Sequence, residues 1–326
     1  MPKAILHQSP GGPENLKWQD VPTSEPKSGE VLIHQKAVGL NFIDIYHRTG
    51  FYKLPSYPAI IGMEGAGVVE KLGPDCSHLQ VGDRVAYGTG PIGGYTQWRT
   101  IAEVKLVKLP DAIKDEIAAA VMLKGLTAHY LVRRTFIVNP NHTILVHAAA
   151  GGVGLLICQW AKALGARVIG TVGSPEKAAL AKANGCDFPI LYKTENIAER
   201  VSQITEGKMV HAVYDAIGKD TYQISLDCLM RFGIFISYGQ ASGPLPLIDS
   251  QELANRGSLF FTRPSIMHYK DDPHEYALSA AELFEMIHLG HIRVNVGQSY
   301  YLSDAASAHR YLEAGKTTGA TILLPD

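Results

Sequence analysis

The chain has 326 residues, of which 46% are hydrophobic and 19% are charged. This length and composition suit a globular protein of two ordinary domains or one large one. The 30 Lys and Arg residues nearly balance the 31 Asp and Glu residues, for a formal net charge of -1. The balance gives no support to nucleic-acid binding through a basic excess, or to an acidic disordered tail.

The sequence predicts a cytoplasmic protein without a membrane anchor. No apolar run approaches the ~20 residues needed to span a bilayer, and the N-terminal segment lacks the charged start and apolar core of a signal peptide. The cysteines show no CxxC pair, so we expect reduced and mostly buried thiols. They are Cys76, Cys158, Cys186 and Cys228.

The first third of the chain contains short β-rich runs separated by glycine and proline. We predict strands over residues 30–40, 65–72 and 83–87, with turns at Gly11–Pro13, Gly73–Pro74 and Gly93–Gly94. Short strands at this spacing indicate an antiparallel, partly closed β domain.

The middle of the chain alternates strand and helix. A helix is predicted over 115–135, a strand over 143–148, a helix over 153–164 that Gly165 would cap, and a strand over 167–172. Ser174, Pro175 and Glu176 are typical of a helix start. Further strands are expected over 210–214 and 233–238, with a helix between them. This βαβαβ pattern predicts a parallel sheet with right-handed crossovers.

The last part of the chain has mixed character. We predict helices over 275–289 and 304–314 and a final strand over 320–324. The N-terminal β domain is one candidate partner for that strand.

A glycine-rich turn, HAAAGGVG at residues 147–154, follows the apolar strand 143–148 and opens a helix. This is the context of a dinucleotide-binding turn, in which backbone amides at a helix N-terminus face a pyrophosphate. The predicted contacts are Ala150, Gly151, Gly152 and Val153. Ala149 stands where the usual pattern begins with glycine. The alternative is a loop whose glycines only allow close packing.

The end of the second strand favours NADPH over NADH. An NAD-binding chain places an acidic residue there for the ribose hydroxyls, whereas this chain has Gly173. Ser174 could donate a hydrogen bond to a 2′-phosphate and Lys177 could supply positive charge. Tyr192, after the third strand, is a further candidate contact. The alternatives are an N-cap for Ser174, a solvated Lys177 and a surface role for Tyr192.

Several segments carry a resemblance to one family. Residues 141–162 read NHTILVHAAAGGVGLLICQWAK, and further matches are NFIDIY at 41–46, GMEGAG at 62–67, VGDRV at 81–85, KGLT at 124–127 and TRP at 262–264. In this ordered set the chain resembles the quinone oxidoreductase (zeta-crystallin-like) branch of the medium-chain dehydrogenase/reductase superfamily, over essentially its whole length.

The resemblance implies an α/β protein of two domains. A GroES-like β-rich catalytic domain would run over 1–125 and be completed by 265–326. A Rossmann domain with a doubly wound parallel sheet would occupy 126–264 and bind NADPH, with the active site in the cleft.

The sequence departs from the zinc-dependent members of this superfamily. Those members use an early Cys and a His before Glu, but here residues 41–46 contain no Cys and the second segment reads Gly62-Met63-Glu64. A thioether does not replace imidazole at a catalytic zinc. The pairs His142/His147 and His288/His291 lack suitable partners, so we predict no metal.

Reduction without a metal needs hydrogen-bond donors around the acceptor oxygen. The resemblance points to Asn41, Tyr46, Tyr52 and Arg263 as catalytic residues. The tyrosines offer hydroxyls and flat walls, and Arg263 offers a permanent positive charge. Tyr52, beside Gly50 and a Lys-Leu-Pro turn, is expected to be exposed and available. The alternatives for the others are core packing for Tyr46, a helix N-cap for Asn41, which can coexist with a cofactor role, and a structural ion pair for Arg263.

The resemblance also assigns cofactor contacts to Asn41, Lys124 and Thr127, and to Tyr238 and Gln240 at the end of the fifth Rossmann strand. Lys124 could instead be an exposed helix charge. Gln240 stands where relatives often carry Asn. Lys316 lies in the neighbourhood where relatives place an Arg, and lysine is a weaker bidentate phosphate binder.

The sequence therefore predicts an NADPH-dependent, zinc-independent quinone oxidoreductase that transfers a hydride to a quinone or similar conjugated carbonyl. One alternative is an NADPH-dependent enone or enal reductase, and another is an NADPH-regulated nucleic-acid-binding protein. Residues 258–262 lie where family members pair across a dimer, which predicts a homodimer; an internal edge strand has the same sequence character.

Overall fold

The computed structural model describes all residues from Met1 to Asp326. Its internal contacts separate two compact units. The first unit consists of Met1–Leu126, Lys270–His288 and Val294–Asp326, and the second of Thr127–Tyr269 and Leu289–Arg293. The second unit is thus almost entirely one continuous segment, whereas the first is assembled from three separate stretches of chain.

From Thr143 to Thr262 every pair of successive strands is separated by a helix. In chain order the strands are β1 (Lys3–His7), β2 (Leu16–Asp20), β3 (Glu30–Leu40), β4 (Ala59–Ile60), β5 (Glu64–Leu72), β6 (Arg84–Tyr87), β7 (Trp98–Ala102), β8 (Val107–Lys108), β9 (Thr143–Val146), β10 (Arg167–Val172), β11 (Phe188–Leu191), β12 (Val210–Asp215), β13 (Leu229–Ser237), β14 (Phe260–Thr262), β15 (Val296–Tyr301) and β16 (Ala320–Leu324).

The α-helices are α1 (Phe42–Thr49), α2 (Asp115–Tyr130), α3 (Gly152–Ala163), α4 (Pro175–Ala183), α5 (Ile197–Thr205), α6 (Tyr222–Asp227), α7 (Ser250–Asn255), α8 (Ile266–Tyr269), α9 (Pro273–His288) and α10 (Ala305–Glu313). None of them combines the length and apolar character that crossing a membrane requires.

The first unit is built on a seven-stranded sheet whose centre is β3. This strand pairs antiparallel with β5, β7 and β16, and a separate three-stranded sheet has the order β2-β1-β4. The final strand was expected over 320–324 and has those bounds, and its partner is the N-terminal β3, where Thr321 pairs with Leu40. One core cluster therefore mixes residues from both ends of the sequence, among them Val38, Leu302 and Leu323.

The second unit contains a six-stranded parallel sheet in the order β11-β10-β9-β12-β13-β14. The chain moves outward from β9 to β11, returns past β9, and then adds β12 to β14 on the other side. This reversal of strand order next to β9 creates the kind of crevice in which open α/β sheets bind ligands. The predicted α/β class, with a β-rich domain and a parallel sheet flanked by helices in sequence, is confirmed.

Local signals placed most elements of the second unit well. The strand predicted over 167–172 has those bounds. Gly165 ends the preceding helix with φ +84° and donates its N–H to the Lys162 carbonyl at 2.9 Å, as a C-terminal glycine should. Ser174 is the N-cap of α4, since its Oγ accepts a hydrogen bond from the Lys177 N–H at 3.3 Å.

The helix predicted over 115–135 ends earlier than expected as an α-helix. Regular α structure stops at Tyr130, and residues Leu131–Thr135 form a wider π-type turn. Phe136 adopts an extended conformation, with φ -137°, and donates its N–H to the Leu131 carbonyl five residues earlier. This bond widens the last turn and ends the helix.

All four cysteines are free thiols. Cys158, Cys186 and Cys228 are buried and Cys76 is half-buried, in agreement with the prediction of mostly buried thiols.

Candidate functional site

The turn between β9 and α3 folds tightly against the start of the helix. Ala148 has a left-handed backbone, with φ +52°, and its carbonyl oxygen points towards Gly154. A Cβ atom at Gly154 would lie 2.2 Å from that oxygen and 3.0 Å from the Ala149 Cα. Both neighbours are backbone atoms that cannot move aside, so only glycine fits at this position.

The first turn of α3 is suited to an anion. Gly151 is the N-cap and supplies no side-chain cap, and no acidic residue occupies the first turn. The leading N–H groups of a helix have no partner within the helix and lie at its positive end. The predicted contacts Ala150, Gly151, Gly152 and Val153 therefore lie at a helix start with the geometry and polarity that a pyrophosphate requires.

The carboxyl end of β10 lies beside this turn, because β10 pairs with β9 in the sheet. Gly173 faces the half-exposed Tyr192, and a Cβ at Gly173 would lie 2.9 Å from the Tyr192 hydroxyl oxygen. The structure therefore brings Gly173, Ser174, Lys177 and Tyr192 to one edge of the sheet. Ser174 caps the N-terminus of α4 and at the same time lies at the edge of the sheet where the 2′-phosphate contact was predicted.

The sequence indicates only a helix-start role for Glu176, but its carboxylate also lies at this edge. Glu176 lies in the first turn of α4 and is fully exposed to solvent. A side-chain hydrogen bond with Ser174 is the largest cause that holds the pKa of Glu176 below its usual range. The Ser174 hydroxyl thus already has an anionic acceptor, which competes with any phosphate group placed there.

The segment after β13 is braced by the segment after β12. Tyr238 donates its backbone N–H to the Asp215 carbonyl at 2.8 Å, and Ala241 donates to Ala216 at 3.1 Å. Gln240 lies inside this braced segment, so its position is fixed by backbone contacts. The structure places the predicted contacts Tyr238 and Gln240 at the same carboxyl edge of the sheet as the glycine-rich turn.

In the first unit, a buried carboxylate joins two of the predicted site residues. Glu64 begins β5 and is fully buried. Its Oε2 accepts hydrogen bonds from Asn41 Nδ2 at 2.8 Å and from Lys124 Nζ at 2.9 Å, and its Oε1 accepts from the Leu123 N–H at 2.8 Å. Lys124 is 5% exposed, so the alternative of an exposed helix charge is wrong.

A second buried carboxylate lies at the start of α1. Asn41 is the N-cap, as its alternative role proposed, and its backbone N–H donates to Asp44 Oδ2 at 2.9 Å. The Tyr95 hydroxyl donates to the same oxygen at 3.1 Å and lies 3.0 Å from His309 Nε2. Burial raises the pKa of Asp44 to about 7 and lowers that of His309 to about 3.

Aromatic side chains gather at the end of α1. The rings of Tyr46 and Tyr52 meet edge to face at 5.2 Å between centroids, and Phe51 stacks on Tyr52 at 5.4 Å. The backbone also closes this loop, because the Tyr52 N–H donates to the Tyr46 carbonyl at 3.0 Å. Tyr46 and Tyr52 are half-buried and Phe51 is 44% exposed, so the cluster presents a partly open aromatic surface.

The remaining predicted residues lie in different places. Thr127 is a buried residue of α2, and Arg263 follows β14 and donates from Nη1 to the Pro264 carbonyl at 3.1 Å. Both belong to the second unit, whereas Asn41, Tyr46 and Tyr52 belong to the first. The Lys316 ammonium lies 5.6 Å from the centre of the Tyr311 ring, which gives this lysine an aromatic partner on the surface of the first unit.

No three His, Cys, Asp or Glu side chains are arranged to hold a metal ion. The acidic group that motif reasoning placed beside the zinc position, Glu64, is instead engaged by an amide, a backbone N–H and an ammonium group.

A β-rich domain with an inserted dinucleotide-binding sheet defines the class of the medium-chain dehydrogenases and reductases. Two family models match the chain: the alcohol dehydrogenase GroES-like domain over residues 27–111 and the zinc-binding dehydrogenase model over residues 152–280.

Three relatives place the chain within this class. A quinone oxidoreductase of Pseudomonas aeruginosa is 50% identical over 325 residues, and the match covers 100% of both proteins. A 2-haloacrylate reductase of a Burkholderia species is 42% identical over 99% of this chain and 98% of its own length. The crystal structure of Escherichia coli quinone oxidoreductase complexed with NADPH matches 99% of this chain and 100% of that one, with a TM-score of 0.97 and 44% identity. The chain belongs to the quinone oxidoreductase branch of the medium-chain dehydrogenase/reductase superfamily.

Proposed function

We propose that this protein is an NADPH-dependent, zinc-independent quinone oxidoreductase that transfers a hydride to a quinone or a similar conjugated carbonyl. The observation that carries the proposal is the uncapped, acid-free start of α3 behind the Ala148–Gly154 turn. Relatives named for quinone reduction at 45–50% identity over nearly the whole chain support the acceptor class.

The residues around the turn fit NADPH. The first amides of α3 would hold the pyrophosphate, and no acid occupies the end of β10, where Gly173 packs closely against the Tyr192 hydroxyl. Lys177 would supply positive charge to a 2′-phosphate, and Tyr238 and Gln240 would line the opposite side. Asn41 and Lys124, both hydrogen-bonded to Glu64, are the residues proposed for the nicotinamide end. When bound, the nicotinamide ring supplies the hydride.

The chain's own groups would bind and polarise the acceptor. Tyr46, Phe51 and Tyr52 form the flat walls on which a quinone ring could stack. Negative charge grows on the acceptor oxygen during hydride addition, and the hydroxyl groups of the two tyrosines and the Arg263 guanidinium are the donors proposed to stabilise it. Solvent would complete the protonation of the hydroquinone.

Zinc independence is supported by the donor chemistry of the first unit. Glu64 accepts three hydrogen bonds, one of them from a buried ammonium group, so a metal ion would have to displace a charge partner to reach it. Its neighbour Met63 offers a thioether, and the remaining residues of this cluster offer an amide. A Zn²⁺ site needs imidazole, thiolate or free carboxylate ligands instead.

The test is NADPH oxidation followed against a panel of quinones and enones, with NADH and a chelator as controls. We expect turnover of 1,4-benzoquinone-type acceptors that prefers NADPH and does not respond to the chelator. Tight NADPH binding without turnover of any acceptor would contradict the proposal. Loss of activity with chelator would contradict its zinc-independent part.

A second candidate, reduction of a conjugated alkene such as an enone or enal, is favoured by one observation. The Burkholderia relative is named a 2-haloacrylate reductase and matches at 42% identity. The same panel separates the two candidates, because an alkene reductase would turn over enones or haloacrylates faster than quinones.

We also propose the role of each unit and the state of the protein in the cell. The first unit would be the catalytic domain and the second the NADPH-binding domain, with predicted boundaries at residues 125 and 264.

Buried free thiols suit the reducing cytoplasm. The edge strand β14 carries Phe260, which is 60% exposed, and pairing of two such edges would form a homodimer. Light scattering coupled to gel filtration tests the dimer.

A further inference from the structure

Four polar side chains connect the carboxyl ends of three adjacent strands in the second unit. His147 follows β9, Thr171 lies near the end of β10, Asp215 ends β12 and Ser225 lies on α6. His147 Nδ1 is 3.0 Å from Thr171 Oγ1, and His147 Nε2 is 3.1 Å from Ser225 Oγ. Ser225 Oγ is 3.0 Å from Asp215 Oδ2. Thr171 is 3% exposed and the other three are fully buried.

Asp215 is surrounded by hydrogen-bond donors. Its Oδ1 accepts from the backbone N–H groups of Ile217 at 2.7 Å and Gly218 at 3.1 Å. Its Oδ2 accepts from the Thr221 hydroxyl at 2.7 Å and from Ser225. Four donors satisfy an ionised carboxylate, which only accepts. The Ser225 hydroxyl hydrogen therefore points at Asp215.

This direction fixes the tautomer of His147. A hydroxyl carries a single hydrogen, so Ser225 Oγ, which donates to Asp215, must accept from His147 Nε2–H. His147 Nδ1 is then bare and accepts the hydrogen of the Thr171 hydroxyl. Burial lowers the pKa of His147 below its usual value, so the imidazole is neutral. The chain of donors runs in one direction, from Thr171 through His147 and Ser225 to Asp215.

The Thr171 end of this hydrogen-bonded chain of side chains supports the glycine-rich turn. His147 directly precedes Ala148, whose φ of +52° is unfavourable for a residue with a side chain. Thr171 accepts a hydrogen bond on its backbone carbonyl from the Ala149 N–H at 3.1 Å. A fixed His147 ring and a fixed Thr171 thus support the strained start of the turn on both sides.

The other end holds the segment that carries Tyr238 and Gln240. The Asp215 carbonyl accepts from the N–H groups of Tyr238 at 2.8 Å and Gly239 at 3.3 Å. The Asp215 side chain meanwhile orders the amides of Ile217 and Gly218, whose neighbours brace the same segment. The two candidate nucleotide-binding segments are therefore tied to opposite ends of one hydrogen-bonded chain.

We propose that Thr171, His147 and Ser225 are positioning residues for the nucleotide: their directed hydrogen bonds to Asp215 hold the Ala148–Gly154 turn and the Tyr238–Gln240 segment in the geometry that binds NADPH. This inference rests on the proposed function. It assigns no nucleophilic role to Ser225, because that hydroxyl is fully buried and its hydrogen is directed at the carboxylate.

The first test compares two buried threonines in the same unit. Thr171→Val removes the donor to His147, whereas Thr205→Val is a matched control on α5, where Thr205 bonds only within its own helix end, to Val201 and Ser202 and from Met209. Loss of a buried hydrogen bond lowers stability in both variants. We expect the NADPH dissociation constant to rise about 10-fold in Thr171→Val and to stay within about twofold of wild type in Thr205→Val. Equal dissociation constants in the two variants would overturn the inference.

A second comparison tests whether the hydrogen-bonded side chains act together on NADPH binding. Thr171→Val and Ser225→Ala act through the same imidazole ring, so the double variant should weaken NADPH binding by less than the product of the two single effects. His147→Gln, which keeps a donor for Ser225, should retain more binding than His147→Leu. Independent effects of Thr171 and Ser225, with no difference between the Gln and Leu variants, would count against a shared chain.

The tautomer is measured without any ligand. Nitrogen-15 NMR of histidine-labelled protein, with His147→Gln used to assign the signal, should show a neutral ring protonated at Nε2 at neutral pH. A proton at Nδ1, or an imidazolium, would overturn the direction of the chain. Wild-type protein that binds NADPH but reduces no quinone or enone would refute the proposed function and leave this inference standing. Equal NADPH binding by the two threonine variants would refute this inference and leave the proposed function standing.

Discussion

Glu64 connects Asn41 and Lys124 through one carboxylate oxygen, and all three residues are buried. A buried ion pair of this kind contributes little net stability, because the attraction mainly offsets the desolvation of the two charges. Its value is positional, since Asn41 and Lys124 cannot change their geometry independently. Breaking it from one side, however, leaves a charge buried without its partner.

The Glu64–Lys124 pair can be tested by a double-mutant cycle. Glu64→Gln should lower the free energy of unfolding by about 3–5 kcal/mol, because it leaves the Lys124 ammonium buried without its counter-charge. The double variant Glu64→Gln/Lys124→Gln should lose less than the sum of the two single losses. Urea unfolding measures all four proteins. Strictly additive losses would show that the two side chains do not act as a pair.

The carboxylate of Glu176 should weaken NADPH binding. It hydrogen-bonds with Ser174 at the edge proposed for the 2′-phosphate, and like charges repel there. Glu176→Gln should therefore tighten NADPH binding about 2- to 5-fold at low salt, with a smaller gain at high salt because of screening. Glu199→Gln, in the first turn of α5, is the matched control and should leave the dissociation constant unchanged. No gain over this control would place the phosphate elsewhere.

Asp44 should give the protein a defined pH dependence of stability. Burial raises its pKa to about 7 in the folded protein, above its unfolded value of about 3.9. The folded state therefore favours the protonated carboxyl, so the contribution is fully present below about pH 4 and is lost as the pH rises through about 7. Asp44→Asn should remove this loss, which amounts to at most about 4 kcal/mol. Unfolding of both proteins at pH 4 and pH 8 measures it, and identical pH slopes would contradict the assignment.

At the scale of elements, a tight turn connects the apolar strand β9 to α3. The first turn of α3 has no space for a side chain at Gly154. Alanine normally stabilises a helix relative to glycine by about 1 kcal/mol. At Gly154 the added Cβ would meet the Ala148 carbonyl oxygen at 2.2 Å, so the clash outweighs the gain in propensity.

Gly154→Ala should therefore both destabilise the protein and raise the NADPH dissociation constant at least about 10-fold, since the turn must move to relieve the clash. Isothermal titration measures this constant. Gly151→Ala is a control for stability only, because Gly151 is itself a predicted cofactor contact. Its Cβ would lie 3.2 Å from the same oxygen at a backbone φ of -80°, so this variant should lower the free energy of unfolding less than Gly154→Ala does. Equal losses in urea unfolding would argue against a tightly folded turn.

Elements were predictable wherever their signals were local. The strand Arg167–Val172, the Ser174 cap and the Gly165 helix end depend on residues within a few positions of one another, and the structure confirms them. The early end of α2 was not predictable in this way, because Leu131–Thr135 keep helical character and only the bond from Phe136 reveals the wider turn.

The candidate site was predictable only in part, for the same physical reason. The glycine-rich turn is a contiguous motif, so it could be read directly. Glu64 joins Lys124 from 60 residues away, and Ser225 joins His147 from 78 residues away. The residues next to Glu64 and Ser225 in the sequence do not indicate that these two side chains have such distant partners. The signal that could have found Glu64 is a charged residue within the apolar run around Ile61 and Met63.

At the scale of the whole molecule, the C-terminal strand completes the sheet of the first unit. β16 lies between β15 and the central β3, and Ala320 to Leu323 are buried. A chain that ends at Gly319 would leave β3 with an unpaired edge and remove part of a core cluster.

We expect that truncated chain to lose its cooperative thermal transition and to aggregate, because an exposed apolar strand edge pairs with other chains. Removing Pro325 and Asp326 alone keeps β16 and deletes only surface bonds to Ser303 and Gln97. That shorter truncation should shift the melting temperature by a few degrees at most. Calorimetry of both proteins tests the expectation, and a cooperative transition in the longer truncation would refute it.

The pairing of β3 with β16 also sets the order of events on the ribosome. At a synthesis rate of about 5–20 residues per second, the partner of β3 emerges some tens of seconds after β3 itself. The continuous segment Thr127–Tyr269 is finished before β16 is made and can fold while translation proceeds. The nascent N-terminal sheet must wait with an open edge until β16 is made, so chaperones that shield strand edges would matter most for this unit.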